Sequence, residues 1–320
     1  MKVVILDDWE QFFYHHPEIE RLRKHFDVQI FQDHPSHEEL ISRIEDADII
    51  LPIRDRTTFS KDVLRKLKNI KLIAQTGAGI EHIDMNEANR LQIPIATTPG
   101  GSAGVIELIF GFIIMYSRKL LSLDNDVKNG FWPQTVGLGL EGKTIGIIGL
   151  GKIGTGVAKI AKAFNMKVIA WGPRLTPERA EEQDVVYTPF EQLVAESQYI
   201  VTAVRLVPET RNLVNSRHFD LMRKDAFFIN TSRGDVVDED ALLEALMEKR
   251  IGGAGLDVFS KEPLNEDHPF LSLENVILSP HIGWKTENMF NQFLTTSVDN
   301  IISFIVDKKP KRIKNPESLD

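Results

Sequence analysis

The chain has no cysteine among its 320 residues. Disulfides, thiolate metal sites and cysteine nucleophiles are thereby excluded. It has no excess of positive charge: 38 Lys and Arg against 46 Asp and Glu leave a formal net charge of −8. A surface built to grip nucleic acid or an anionic membrane is therefore not expected, although one pocket can be basic on an acidic protein. No apolar run approaches the roughly 20 residues that a membrane-spanning helix needs; the most apolar stretch covers only 105–116. The start, Met1-Lys2-Val3-Val4-Ile5-Leu6-Asp7-Asp8, turns acidic too soon for a signal peptide. A soluble cytoplasmic protein is the expectation. Fixed-period repeats, low-complexity tracts and charge blocks are also missing. His15, His16, His25, His34, His37, His82, His218 and His268 show no metal-ligand spacing, and no metal is expected.

What is present reads as two domains, as the length suggests, with an apolar fraction of 42% that suffices for their cores. Apolar runs at 3–6, 28–31, 49–53, 71–74 and 93–97 alternate with amphipathic stretches at 17–25, 37–44, 61–67 and 85–91. Such alternation predicts a parallel, doubly wound α/β unit. The cluster Thr97-Thr98-Pro99-Gly100-Gly101-Ser102 breaks it. A long apolar helix over 105–126 follows and needs cover on most sides. It reads as an inter-domain or subunit contact, or else as a helix buried in its own domain. A second alternating unit spans 142–283, with apolar runs at 145–148, 167–171, 199–204, 226–229, 253–258 and 276–278. A last helix over 286–306 is expected to return to the first domain and make it discontinuous. The basic tail Lys308-Lys309-Pro310-Lys311-Arg312 reads as a solvated end.

Gly149-Leu150-Gly151-Lys152-Ile153-Gly154 matches G-x-G-x-x-G. Alone the pattern is weak. Here it follows a predicted strand at 144–148 and opens a predicted helix at 153–164, with another strand at 166–171. In that context glycines let the backbone approach a pyrophosphate, which the helix N-terminus stabilises. Lys152 and Ile153 would give it their amides. The acid expected some 20 positions on, for the ribose 2′-hydroxyl, is missing. Gly172 stands in its place, followed by Pro173 and Arg174. A 2′-phosphate meets no repulsion at Gly172, and the planar fork of Arg174 suits it. NADP is therefore favoured over NAD, with Arg174 as a plain surface arginine the bland alternative.

Arg233 follows the apolar run 226–229, Glu262 follows 253–258, and His281 closes 275–280. Ligands of open parallel sheets bind outside the carboxyl ends of the strands. A guanidinium there binds an oxyanion bidentately and stays charged. An imidazole donates and accepts protons near neutrality. A carboxylate beside it fixes its tautomer. Taken singly, each residue is more often structural; their joint placement downstream of the glycine loop argues for function. Arg54-Asp55-Arg56-Thr57 closes the run 49–53 and reads either as a solvated turn or as a second anion clamp.

With these motifs in order, the chain resembles the D-isomer-specific 2-hydroxyacid dehydrogenase family over essentially its whole length. The segments that carry the likeness are Thr76-Gly77-Ala78-Gly79-Ile80-Glu81-His82-Ile83-Asp84, Leu140-Glu141-Gly142-Lys143-Thr144-Ile145-Gly146, the glycine loop, 230–234, 257–263 and 279–283. The stretch 170–180 is similar to a branch described as phosphoglycerate or hydroxypyruvate/glyoxylate dehydrogenase-like. The resemblance implies an α/β protein of two doubly wound parallel-sheet domains: a flavodoxin-like catalytic domain, 1–99 with 286–320, and an inserted Rossmann dinucleotide-binding domain, 100–285. It implies hydride transfer between NADP or NAD and a small 2-keto or 2-hydroxy acid. It makes Arg233, Glu262 and His281 catalytic. Ala78, Gly79, Arg54 and Trp284 would meet the substrate. Val204, Arg205, Thr231, Ser232, Asp257 and Gly283 would line the cofactor beside Arg233 and His281, with Asp257 facing the nicotinamide. It also implies a homodimer through 105–126. Two departures stand out. The family's His-x-Pro-Leu-Thr is here Ala203-Val204-Arg205-Leu206-Val207, which puts Arg205 on the adenosine side, and Trp284 replaces a small residue. The expected activity is reduction of glyoxylate or hydroxypyruvate. The alternatives are 3-phosphoglycerate oxidation, or dinucleotide sensing by a corepressor-like binding protein.

Overall fold

The computed structural model describes residues 1–319. Contacts divide the chain into two units, Met1–Gly101 with Thr286–Asp320, and Ser102–Lys285.

The first unit holds β1 (Lys2–Ile5), β2 (Asp27–Ile30), β3 (Ile49–Leu51), β4 (Leu72–Gln75) and β5 (Ile95–Thr97). All pair in parallel, in the order β2-β1-β3-β4-β5. That is a flavodoxin-like order. The runs Ile49-Ile50-Leu51 and Leu72-Ile73-Ala74 are buried throughout, as strands covered on both faces require. Helices α1 (Pro17–Arg23), α2 (His37–Ile44), α3 (Lys61–Leu64) and α4 (Met85–Arg90) connect them. Ser36 and Glu39 form a capping box at the start of α2. A last helix, Glu287–Ile305, comes back to this unit and packs Met289, Phe290, Phe293, Leu294 and Val298 toward α1, β4 and β5.

The basic stretch 308–312 is exposed, as expected of a solvated end, and the chain past it is tied down. It runs antiparallel beside β5: Thr97 N–H donates to Arg312 O (3.2 Å) and Lys314 N–H to Ile95 O (2.8 Å). The Asn315 amide oxygen accepts from Ile95 N–H at 2.8 Å. An edge strand presents unpaired backbone groups, and these hold the tail's backbone while the side chains of Lys308, Lys309 and Lys311 stay exposed.

The second unit holds β6 (Thr144–Ile148), β7 (Lys167–Trp171), β8 (Val186–Tyr187), β9 (Tyr199–Thr202), β10 (Phe227–Asn230), β11 (Gly253–Leu256) and β12 (Val276–Leu278). They pair in parallel in the order β12-β11-β10-β9-β6-β7-β8. The winding direction reverses at β6, the usual place for a ligand in such sheets. Ile145, Ile147, Val168, Val201 and Ile229 build the core on one face. Ile148, Ile169, Ile200, Phe228 and Leu256 build it on the other.

The helix expected over 105–126 is two: α5 (Ala103–Arg118) and α6 (Leu120–Lys128). Lys119 separates them with φ 53°, a left-handed conformation that stops a right-handed helix. Of the two readings of this segment, burial in its own unit applies to α5. Ile106, Ile109, Phe112 and Ile113 pack with Ile145, Phe227 and Ile229. Helix α6 buries no residue. The unit continues with α7 (Lys152–Ala163), α8 (Pro177–Glu181), α9 (Phe190–Glu196), α10 (Ser216–Leu221) and α11 (Glu239–Met247). Among the described residues, no helix is long and apolar enough to cross a membrane.

Register aligns the strand ends of this sheet. Trp171 pairs with Ile148, Ile148 with Thr202, Thr202 with Asn230, Asn230 with Leu256, and Leu256 with Leu278. The next residues, Gly149, Gly172, Ala203, Thr231, Asp257 and Ser279, thus form one row past the carboxyl ends. At about 4.8 Å per strand the row from β7 to β12 is about 24 Å long.

Strand β6 passes into α7 through a very close backbone approach. A Cβ at Gly154 would lie 2.0 Å from the Gly149 carbonyl oxygen, whereas one at Gly151 meets nothing within 4 Å. Overpacking of this kind typically costs about 1–3 kcal/mol. Gly154→Ala should therefore lower the melting temperature by about 3–10 °C, and Gly151→Ala should leave it in place. Equal melting temperatures for Gly154→Ala and wild type in a calorimetric scan would disprove the close-packing account.

Candidate functional site

The glycine loop sits where β6, β7 and β9 end. Gly149 has φ 105°, open to glycine and strained for other residues. Its N–H donates to Trp171 O at 2.6 Å, and Ala203 N–H donates to Ile148 O at 2.7 Å. Gly151 is the N-cap of α7, and no side chain caps that helix. Its dipole favours an anion at this end. Position 172 abuts the loop: a Cβ there would rest 3.6 Å from Gly149 Cα and 3.5 Å from Leu175 Cβ, ordinary contacts. Arg174 and Arg205 are exposed on the loops after β7 and β9, and Val204 is half-buried. The Arg205 carbonyl accepts from Thr210 Oγ1 at 2.6 Å, which fixes that loop.

A dinucleotide fits these residues. The row has a glycine cradle and an uncapped helix end at one side. In its middle, Thr231 Oγ1 is a buried hydroxyl with no protein hydrogen-bond partner, a vacancy that a polar ligand group satisfies.

At the other end of the row His281 and Glu262 meet, while Arg233 stands nearer its middle. His281 Nδ1 lies 2.7 Å from Glu262 Oε2. An ionised carboxylate only accepts, so Nδ1 carries the hydrogen and Nε2 is left to exchange protons. The second oxygen, Glu262 Oε1, accepts from Phe259 N–H at 3.0 Å, which holds the carboxylate in place. The His281 ring is about three-quarters buried, 24% of its side chain being exposed. Its backbone has φ 53°, a conformation that costs a non-glycine residue about 1–2 kcal/mol.

Arg233 is exposed at the end of β10, two strands from β12 and therefore about 10 Å across the sheet. Asn230 builds its turn. The Asn230 amide oxygen accepts from Thr202 Oγ1 (2.7 Å), Ser232 N–H (3.1 Å) and Ser232 Oγ (2.9 Å), and its amide nitrogen donates to Arg233 O at 3.1 Å. Ser232 is thereby occupied within the turn. Sequence reasoning did not single out Asn230; the signal was a polar residue inside a buried strand. Asp257, expected to face a nicotinamide, is 1% exposed. Its carboxylate accepts from Ser279 Oγ (2.5 Å), Ile282 N–H (2.8 Å) and Gly283 N–H (2.8 Å). Trp284 is half-buried just beyond.

The remaining candidates belong to the first unit. Ala78 is exposed and Gly79 half-buried on the loop after β4. Arg54 follows β3 and lies across Gly77, where an added Cβ would fall 2.1 Å from its Nη1. Its N–H donates to Thr76 Oγ1 at 2.7 Å. Arg56 does not join it as a second anion clamp. Its guanidinium makes a two-pronged pair with Glu10 (2.8 and 2.7 Å), donates to Asp7 O (2.6 Å) and lies 4.3 Å from the Trp9 ring centre. With 5% of the side chain exposed, it ties the loop after β1 to the loop after β3. His82 contacts Gln75 Oε1 at 3.1 Å, and burial pushes its ring below the usual histidine range. Among the described residues, no group of His, Asp and Glu is placed to hold a metal ion.

Comparison with known proteins bears on this site. Residues 110–283 match the family model described as "D-isomer specific 2-hydroxyacid dehydrogenase, NAD binding domain". A glyoxylate reductase of Thermococcus litoralis is 34% identical over 94% of this chain and 94% of its own length. A D-3-phosphoglycerate dehydrogenase of Methanocaldococcus jannaschii is 38% identical over 78% of this chain, which spans 48% of that longer protein. A solved oxidoreductase of Ralstonia solanacearum superposes with TM-score 0.92 at 28% identity, covering 100% of this chain and 98% of that one.

Removing the Asn230 side chain strands the groups it holds. Leaving buried donors and acceptors unmade costs about 1–3 kcal/mol each, less what water recovers. Asn230→Ala should therefore destabilise the protein by about 2–4 kcal/mol in urea unfolding. A loss under about 0.5 kcal/mol would mean that the turn holds Arg233 without Asn230.

Proposed function

The chain belongs to the D-isomer-specific 2-hydroxyacid dehydrogenase family, and we propose that it works as a 2-ketoacid reductase on glyoxylate or hydroxypyruvate, with NADPH preferred. The family makes it an NAD-binding oxidoreductase acting on a CH–OH group. The observation that carries the finer reading is the 2.7 Å contact between His281 Nδ1 and Glu262, at the end of a row that begins with the glycine loop.

In this reading the glycine loop and the residues of the row would hold a nicotinamide dinucleotide, which would supply the hydride. Arg233 holds the substrate carboxylate and polarises the carbonyl, because a guanidinium stays charged and binds an oxyanion in two places. His281 delivers a proton from Nε2 to the carbonyl oxygen and takes it back in the reverse direction. Glu262 keeps the Nδ1–H tautomer and the direction of the ring. On the first unit, the backbone of Ala78 and Gly79 and the side chain of Arg54 are proposed substrate contacts. Trp284 narrows the space for the substrate's far end, which favours two- and three-carbon acids. A homodimer through 105–126 is part of this proposal; Phe131, Trp132 and Val136, 66%, 80% and 92% exposed, follow that segment in the chain. The cytoplasmic location belongs to the same proposal.

Purified protein should reduce glyoxylate and hydroxypyruvate, and His281→Ala should lower kcat by about 10²–10⁴ with dinucleotide affinity unchanged. Near-normal turnover in that variant refutes the proton-transfer role. A preference for 3-phosphoglycerate would move the substrate to phosphorylated acids, and tight dinucleotide binding without turnover on any acid would make the protein a sensor.

The cofactor preference has its own test. Position 172 has room for a side chain beside the loop, so Gly172→Asp should fold normally. Its carboxylate would repel a 2′-phosphate and accept from a 2′-hydroxyl. Selectivity should move toward NADH by about tenfold or more. An unaltered NADPH-to-NADH ratio of kcat/KM would show that position 172 does not choose the cofactor.

A further inference from the structure

The last member of the row is Ser279, and we propose that it is a positioning residue for His281, acting through the buried carboxylate of Asp257. The proposal rests on the reading of His281 as the proton donor. It concerns how the histidine backbone, rather than its ring, is kept in place.

His281 occupies the tip of a short loop, Ser279-Pro280-His281-Ile282-Gly283, with its own φ at 53°. That conformation is unfavourable for histidine and persists only when the surroundings enforce it. Asp257 does so from both shoulders. Its Oδ1 accepts from the Ser279 hydroxyl before the tip (2.5 Å) and from Ile282 N–H after it (2.8 Å), while Oδ2 accepts from Gly283 N–H (2.8 Å). The tip closes on itself through His281 N–H to Ser279 O at 3.1 Å. The anchor is fixed in turn: Asp257 N–H donates to Asn230 O (3.0 Å) and Ser279 N–H to Leu256 O (2.9 Å). Asp257 and Ser279 are 1% and 8% exposed, so water does not readily replace these bonds.

Glu262 orients the imidazole but does not hold the backbone that carries it. The ring therefore depends on two carboxylates, one at the side chain and one beneath the loop. Of the three donors on Asp257, only the Ser279 hydroxyl belongs to a side chain. It is the one that a substitution removes while both carboxylates stay. Without it a buried charge loses its shortest donor and the loop loses its leading shoulder. The proton donor then leaves its position while the glycine loop and Arg233 are untouched.

The test compares Ser279→Ala and Ser279→Thr with wild type in three measurements: hydrogen exchange of the Ile282 and Gly283 amides, steady-state reduction of glyoxylate, and NADPH affinity by fluorescence. The expected result for Ser279→Ala is amide exchange about tenfold faster and kcat about tenfold lower, the worth of one hydrogen bond to a charged group. KM and NADPH affinity stay the same, and threonine, which keeps the hydroxyl, restores both losses. Wild-type exchange in Ser279→Ala overturns the proposal. So does a loss seen in NADPH affinity alone, which would assign the Ser279–Asp257 pair to the cofactor. If wild type turns over no 2-ketoacid, the proton-donor reading fails, and the exchange comparison still decides whether Ser279 holds the loop.

Discussion

The parallel register that ends β7, β6, β9, β10, β11 and β12 on one line governs what can meet in the second unit. Side chains alternate faces along a strand, so a slip of one residue would exchange the side chains that pack on the two faces of the sheet. Burial on both faces, by Ile147, Val201 and Ile229 on one side and Ile200, Phe228 and Leu256 on the other, therefore fixes the register tightly. Once it is fixed, the residue after each strand is placed without further choice. Glycines fall at the end where backbone must come close, and Asp257 and Ser279 fall at the end where a loop must be held.

A common arrangement recurs along this row. The groups assigned to chemistry are at least partly exposed, and buried polar groups secure the backbone behind them. Arg233 stands on a turn pinned by Asn230. His281 stands on a loop pinned by Asp257, with Glu262 on its ring. Gly149 is held by Trp171 O. Buried polar groups left without partners are costly, so each of these supports has few alternative states. An exposed arginine or histidine on an ordinary surface loop would sample many rotamers. Here the loops contribute little of that freedom, and the remaining motion lies in the side chain itself.

Much of this was legible in the sequence. Parallel strands buried on both faces leave apolar runs such as Ile49-Ile50-Leu51 and Ala226-Phe227-Phe228-Ile229, and the glycine loop and the trio sit at the ends of such runs. What escaped is what a linear pattern does not encode. Strand β8, two residues long, has no run to read. The break at Lys119 lies inside an apolar stretch whose composition suits one helix. The tail's charges suggested solvation, while its backbone answers the open edge of β5. Arg54 and Arg56 look alike in the sequence, but Glu10 and Trp9 claim the second. Asp257 reads in the sequence as a cofactor contact alone; its bonds to Ser279, Ile282 and Gly283 add the holding of a loop, and only then does Ser279 acquire meaning.

The return of the chain to its first unit has a consequence for synthesis. The second unit is one continuous stretch, Ser102–Lys285, and has every strand it needs as soon as it leaves the ribosome. The first unit does not. Its helix Glu287–Ile305 and the segment along β5 arrive only after the inserted stretch of roughly 180 residues, which takes on the order of 10–40 s to make. Through that interval Phe13, which meets Phe290 in the finished protein, and the β5 edge lack the cover that they later have. The nascent first unit is the stretch with most reason to engage a chaperone.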